Sequence, residues 1–535
     1  MSKLLIKNKI GEEVKESSSK ENNDYLIEEV NEGTRKTLLI HPKKVMSLQE
    51  VRLEEDRHYD KDETIFENGY QSWTDSRELY LGEKLHSLNH LPKKLVENYH
   101  FKQYGDAWFY PYHKHMIHSF TYSYIRKDDK VVFIGSLNEN NAYLIIKHHP
   151  KKHKLYLESD VQGLTIDKTF TLFDYVTYEG KLDDCARKYF SHFAKEQKKK
   201  ISGYTSWYNH YQNISEEVIL KDLAGINTDR YDLFQIDDGY QTYVGDWLDI
   251  NKNKFPNGLE PIVKKIHDKG LLAGIWLAPF VCEVDSKIFK EHPSWIYKEN
   301  GKEVYAGCNW SNDVVLDLEN EEVISYIEKC LKYYVDLGFD FFKLDFLYAG
   351  AIGGKGTRAM KMRLVMERLR NVLGDKLILG CGVPLSSAFG VVDYCRIGPD
   401  VSLKFDDSWF MRFMHRERIS TKITLVNTIY RSFMDGFVFR NDPDVYLLRD
   451  DNIKLNKKQK EALIKINHLC GSVYFTSDNV SEYDESKMKV LKEAENLKEA
   501  KVIDVYRKKN KLFIIYLLKG KEYRFIYNTK KGVLQ

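Results

Sequence analysis

Proline is scarce, with 11 residues in 535, and the 31 glycines form no repeat. That excludes a collagen-like chain and a Pro-rich disordered one. Seven cysteines (185, 282, 308, 330, 381, 395 and 470) are odd in number and include no C-x-x-C pair. Neither a zinc framework nor a disulfide scaffold is readable in them, so a reducing cytosol is the expected setting. An excess of one charge is also missing. The 82 Lys and Arg against 79 Asp and Glu leave +3, too little to imply a nucleic acid or an anionic membrane as partner. No window approaches ~18 continuous apolar residues, and the opening MSKLLIKNKIGEEVKESSSKENND has no apolar segment of signal length. A cytoplasmic protein without a membrane partner is expected.

What is present is a folding composition, 42% hydrophobic and 30% charged, in a chain long enough for two to four domains. Aromatics reach 13%, with 36 Tyr and 8 Trp. Such a supply suits flat ligands such as sugar faces, and it equally fills cores.

Up to about residue 180 the chain reads as short strands, among them Thr37–Ile40, Ser119–Tyr124, Lys130–Gly135, Ala142–Lys147 and Lys154–Glu158, separated by Asp-, Asn-, Gly- and Lys-rich turns. This predicts an antiparallel sandwich. An amphipathic stretch, Leu182–Lys198, links it to the central region. From about 203 the pattern changes to compact apolar runs: GYTSWY, LFQIDDGY, LLAGIWLAPF, FFKLDFLY, LILGCG, VVDYCRIGPD, FVFRNDPDVYLL and GSVYFTSD. Helical patterns such as Glu321–Leu337, Thr357–Leu373 and Lys458–Leu469 lie between them. Eight buried-type strands alternating with helices predict a (β/α)8 barrel. The predicted fold is therefore a sandwich over 1–185 with a linker helix to about 200, a TIM barrel over 200–495 and a small C-terminal antiparallel β unit over 496–535.

A barrel builds its active site at the C-terminal ends of its strands. Here those ends carry Trp207 and Tyr208, Asp237 and Asp238, Trp276, Lys343 and Asp345, Cys381, Arg396 and Asp400, Asp442 and Asp444, and Asp478. Carboxylates and indoles with few histidines favour glycoside chemistry, in which two carboxyls flank the scissile bond and aromatic rings stack on the sugar.

The stretches FQIDDGYQ (234–241), VGDWL (244–248), GIWLAPF (274–280), HPSW (292–295), FFKLDFLYAGAI (341–352), ILGCGVPL (378–385), RIGPD (396–400) and NDPD (441–444), with NGYQSW (68–73) in the first domain, resemble the melibiase-type α-galactosidases of glycoside hydrolase family 36. The resemblance is continuous over roughly 200–450. It implies a retaining exo-α-galactosidase acting on melibiose- or raffinose-type sugars, with Asp345 as nucleophile, Asp400 as acid/base, and no metal or cofactor. It makes Asp237 and Asp238 ligands of sugar hydroxyls O4 and O6. Trp276, Trp207 and Tyr208 become pocket walls, Arg396 a substrate contact, and Cys381 a lining residue. Trp73 becomes a sandwich-domain residue that reaches the pocket rim.

Read from the residues alone, Lys343 lies two positions before Asp345 and so on the same strand face, where its ammonium would favour the ionised carboxylate. A buried Lys–Asp pair that merely holds a barrel together reads the same way. Asp393, Asp406 and Asp407 compete locally with Asp400, and Asp237–Asp238 also fits a simple Asp-Asp-Gly turn.

Three other motifs carry less. His113, His115 and His118 are spaced like a metal triad but lie in the predicted sandwich with no acidic partner nearby, and alternation along a strand explains His113 and His115 better. GAIGGKGT (350–357) breaks the P-loop spacing. NDPD is too short for a calcium loop and is expected to be barrel-mouth structure. The alternatives left open are an α-N-acetylgalactosaminidase, a galactosyl-transferring relative, and a non-catalytic carbohydrate-binding protein. Oligomeric state is not legible.

Overall fold

The computed structural model describes residues 3–408, 411–413 and 415–535. The first 180 residues form two seven-stranded sheets, every pairing antiparallel. One is built on the long strand Met46–Asp56, the other on Phe170–Gly180. Side-chain alternation decides how they meet. In Lys3–Ile10, Leu4 and Ile6 are buried while their neighbours face outward, and Ile27, Leu38 and Ile40 do the same in the opposing sheet. All of them fill one shared core.

The predicted run Ser119–Tyr124 is two strands. Ile117–Phe120 belongs to the first sheet and Tyr122–Lys127 to the second. The chain turns between them at Thr121, whose φ is +70° and whose hydroxyl is held by Glu139 at 2.7 Å. Apolar patterning cannot reveal such a corner, because both strands bury their residues on each side of it. The predicted link Leu182–Lys198 is helical only over Leu182–Ser191.

The central sheet has nine short strands: β1 (Ile201–Thr205), β2 (Leu233–Ile236), β3 (Leu272–Leu277), β4 (Phe341–Leu344), β5 (Leu377–Gly380), β6 (Tyr394–Arg396), β7 (Arg440–Asp442), β8 (Val445–Tyr446) and β9 (Val473–Thr476). Every pairing is parallel, in the order β7-β6-β5-β4-β3-β2-β1-β9-β8. The two edge strands, β7 and β8, are separated in the chain only by Pro443 and Asp444, so the sheet curls round and its edges are tied together. The run read as one strand, FVFRNDPDVYLL, supplies both edges. Proline cannot donate a ladder hydrogen bond, and Asp444 has φ +70°, so the strand breaks there.

Helices Glu216–Ala224, Glu260–Asp268, Glu321–Asp336, Arg358–Leu373, Thr421–Tyr430 and Lys457–Cys470 run between the strands. Most bury one face; Val323, Ile327, Cys330, Leu331 and Tyr334 form that face in Glu321–Asp336. A four-stranded antiparallel sheet over 501–534 closes the chain. It is fastened to the first region by Arg507–Glu83 at 2.6 Å and Arg126–Asp504 at 2.8 Å.

The histidine trio does not lie on one strand. His113 and His115 precede Ile117–Phe120 in a turn, and only His118 is within it. His118 does have an acidic partner: its Nε2 lies 2.6 Å from Asp106 in a buried contact. No helix among the described residues is long and apolar enough to cross a membrane.

Candidate active site

β2 and β4 end one residue before Asp237 and Asp345, respectively. Those carboxylates therefore leave the sheet at its C-terminal rim, while Trp276 and Lys343 point from β3 and β4 themselves. The register pairs Trp276 with Lys343 across the two strands. These residues meet in a cavity of about 600 Å³, whose walls also include Asp238, Asp400, Trp73, Trp207, Trp310 and Phe346.

Asp345 sits on the floor, 7% exposed. The indole Nε1–H of Trp276 donates to its Oδ2 at 3.1 Å and the backbone N–H of Phe346 to its Oδ1 at 2.9 Å. Lys343 makes its direct contact with another carboxylate. Its ammonium donates to Asp237 Oδ2 at 2.9 Å, and it acts on Asp345 only through its field. Burial dominates and holds the Asp345 carboxyl above the usual aspartate range, against the opposing pull of Lys343, while the charge of nearby Asp400 adds to the rise.

Asp237 also accepts from Gln235 at 2.6 Å. Asp238 collects three donors: Gln212 and Trp310 at 2.9 Å each and Gln241 at 2.6 Å. Burial still lifts its carboxyl above the ordinary value. Gly239, at φ +117°, allows the close pass beneath this site, since a Cβ there would stand 2.6 Å from the Gln212 carbonyl oxygen.

Asp400 is set higher on the wall, its side chain 29% exposed, and Arg396 Nη1 donates to it at 2.7 Å. Arg396 is buried behind Asp400 and is not on the cavity wall. Its Nε meets Asp442 at 3.0 Å and its Nη2 meets Asp444 at 2.8 Å. Tyr208 is also set back, its hydroxyl donating to Asp444. It lines a second chamber of about 580 Å³ that shares Trp207, Tyr211, Asp400 and Ile419 with the first. Asp406 is tied to Ser420 at 3.0 Å, and Asp393 to Arg370 at 2.7 Å. Asp407 lines the cavity but is paired with Lys404 at 2.7 Å.

Trp73 arrives from the N-terminal region. Its segment docks on the loop after β5 through Ser72 N–H to the Val383 carbonyl at 2.9 Å. The buried guanidinium of Arg431 holds the Ser72 carbonyl at 2.7 Å and the Ser76 hydroxyl at 2.8 Å. The Trp73 indole N–H reaches the Cys381 sulfur at 3.3 Å, and its ring stands edge-on to Phe346. Gly382, at φ +58°, permits this approach, because a Cβ would lie 2.8 Å from the ring. Cys381 is thus buried behind Trp73 and Asp345, below the wall surface.

The residue pattern did not single out Trp310, Gln212, Gln241 or Phe346. Gln241 and Phe346 lie inside FQIDDGYQ and FFKLDFLYAGAI, beside the carboxylates that drew attention there. Trp310 and Gln212 sit in loops with no periodicity to mark them.

A melibiase family model matches residues 183–363. The α-galactosidase AgaA of Geobacillus stearothermophilus is 29% identical over 129 residues, 23% of this chain and 17% of that protein. The α-galactosidase Mel36A of Lactobacillus acidophilus is 32% identical over 122 residues, 21% of this chain and 16% of that one. These matched stretches span less than a fifth of either curated relative. The solved structure of TtGalA, an α-galactosidase from Thermus thermophilus in complex with p-nitrophenyl α-D-galactopyranoside, superposes with a TM-score of 0.72 at 24% identity, covering 93% of this chain and 98% of that one. The crystal structure of AgaA itself gives 0.62 at 11% identity, over 92% and 70%. At these identities the structural likeness speaks for the fold alone.

Proposed function

We propose, from the melibiase family model that matches residues 183–363, that the protein is a retaining exo-α-galactosidase acting on melibiose- and raffinose-type sugars. One observation supports the reading: Asp345 and Asp400 line a single cavity together with Asp237, Asp238, a lysine and four indoles. In this reading the N-terminal sheets form a sandwich to about residue 185. The curled parallel sheet with its helices is a (β/α)8 barrel over 200–495, and 496–535 is a C-terminal β unit.

Asp345 attacks the anomeric carbon on the face opposite the leaving group, and Asp400 protonates the glycosidic oxygen as that bond breaks. The resulting glycosyl ester is then opened by a water that Asp400 deprotonates, so two inversions give net retention. Asp345 must be an anion to attack, although burial opposes ionisation. The indole of Trp276 and the Phe346 N–H bind the anionic form, and Lys343 adds a favourable field. Asp237 and Asp238 keep acceptor capacity toward the cavity for hydroxyls O4 and O6, and the indoles offer flat faces to the sugar ring. Two carboxyls and water suffice for this chemistry.

The test is turnover of nitrophenyl α-galactoside, α-glucoside, β-galactoside and α-N-acetylgalactosaminide by the purified chain. Strong preference for the α-galactoside is expected. Preference for the acetamido sugar, or turnover of none, would overturn the reading.

A further inference from the structure

We infer that Asp444 is a positioning residue for Asp400, gripping it from two sides at once. This rests on Asp400 being the acid/base. Asp444 is 2% exposed and sits at the break between β7 and β8, in a left-handed backbone conformation with φ +70°. Aspartate is among the side chains that tolerate this conformation, and here it turns the chain between the two edge strands.

Its two oxygens do different things. Oδ2 accepts the backbone N–H of Val401, the residue directly after Asp400, at 2.7 Å, and also the Tyr208 hydroxyl. Oδ1 meets Arg396 Nη2 at 2.8 Å, while Nη1 of the same guanidinium holds Asp400 Oδ1 at 2.7 Å. One carboxylate therefore fixes both the main chain beside Asp400 and the cation on its side chain. Asp442 completes the frame: it takes Arg396 Nε at 3.0 Å and the Asp444 N–H at 2.8 Å.

The charges explain why such a frame matters to an acid. A guanidinium facing a single carboxyl favours the anion and weakens it as a proton donor. Here three carboxylates share that one cation, so its pull on Asp400 is divided. The groups facing Asp444 are Arg396 from β6, Asp400 beyond it, Asp442 from β7 and Tyr208 beyond β1. Burial and the neighbouring Asp400 and Asp442 push the Asp444 carboxyl up, and the guanidinium of Arg396 pulls it back down.

The experiment is the pH–rate profile of Asp444→Asn with two α-galactosides, melibiose with its sugar leaving group and the dinitrophenyl α-galactoside. An asparagine cannot accept all three donors and carries no charge, so Arg396 turns more fully on Asp400. The alkaline limb is expected to move to lower pH. kcat/KM is expected to fall roughly 10–100-fold for melibiose and much less for the dinitrophenyl glycoside, which needs little protonation. Tyr208→Phe, which removes one hydroxyl and no charge, is expected to give a smaller loss with the same leaving-group dependence. Equal losses on both substrates with the alkaline limb unmoved, in both variants, would reduce Asp444 to a structural part and overturn the inference. Failure of the unmodified protein on every α-galactoside would instead remove the functional reading beneath it.

Discussion

Two carboxylates face the same cavity from opposite environments. Asp345 is sunk in the floor, bonded to an indole and a backbone amide, with its nearest cation committed to a neighbour. Asp400 is part-exposed on the wall and ion-paired to an arginine that two other carboxylates also hold. The contrast runs against a simple expectation that a nucleophile sits beside a cation and an acid in an apolar pocket. Ionisation at Asp345 is supported by neutral and backbone donors plus a lysine acting at one remove. Asp400 faces one arm of a guanidinium whose other two arms are held by Asp442 and Asp444. What distinguishes the two carboxylates is how each neighbouring cation is shared.

The largest effect that sharpens this comparison is on Asp400. Asp400→Asn is expected to lower kcat/KM by ~10²–10⁴-fold for raffinose-type substrates, and by far less for dinitrophenyl galactoside in the bond-breaking step. Single-turnover kinetics would check it, and equal losses on the two would place the proton donor elsewhere.

Next comes sugar selection. An equatorial O4 would strand a buried carboxylate, and charge-assisted bonds contribute roughly 1.5–3 kcal/mol each. Asp238→Ala is therefore expected to cut galactoside kcat/KM by roughly 10²-fold or more and the glucoside rate much less, compressing the ratio measured in competition assays. Loss of both by one factor would make the residue a turn former.

Trp276→Phe removes one of the donors that bind the Asp345 anion. In the proposed nucleophile role Asp345 works only when deprotonated, and burial already raises its carboxyl. The acidic limb of the pH–rate profile should thus lie above the usual aspartate range and move to still higher pH in this variant. A limb that stays put would show that the indole does not govern the charge. The smallest effect belongs to Trp73→Ala: lost stacking of ~0.5–1.5 kcal/mol predicts a KM rise of roughly 2–10-fold with kcat little changed, read from initial rates.

Much of this site was legible because its residues sit at the ends of strands whose apolar runs announce them. Lys343 and Asp345 could be placed on one strand end from their spacing, although not the diversion of the lysine to Asp237, which comes from β2. RIGPD displayed the Arg396–Asp400 pair. The other two arms of Arg396 are 46 and 48 residues downstream and become neighbours only through the parallel register of β6 with β7, which sets Arg396 opposite Asp442. FVFRNDPDVYLL read as one strand, so neither the break at Pro443 nor the aim of Asp444 back at Val401 was legible. Trp310 stayed invisible for another reason: it is a loop residue at φ +50°, placed by tertiary contacts and by no local pattern. The corner at Thr121 and the acidic partner of His118, Asp106 in a turn, were missed on the same grounds, since tertiary contacts leave no period in the chain.

The assignment of the two carboxylates is tested most directly by the anomeric configuration of galactosyl azide formed when azide rescues Asp345→Gly and Asp400→Gly. Without a nucleophile at 345, azide takes its place on the opposite face of an activated α-galactoside, giving the β-azide. Without an acid/base at 400 the glycosyl–enzyme still forms, and azide opens it to the α-azide. Opposite anomers from the two variants are the predicted result; the same anomer from both would contradict the account.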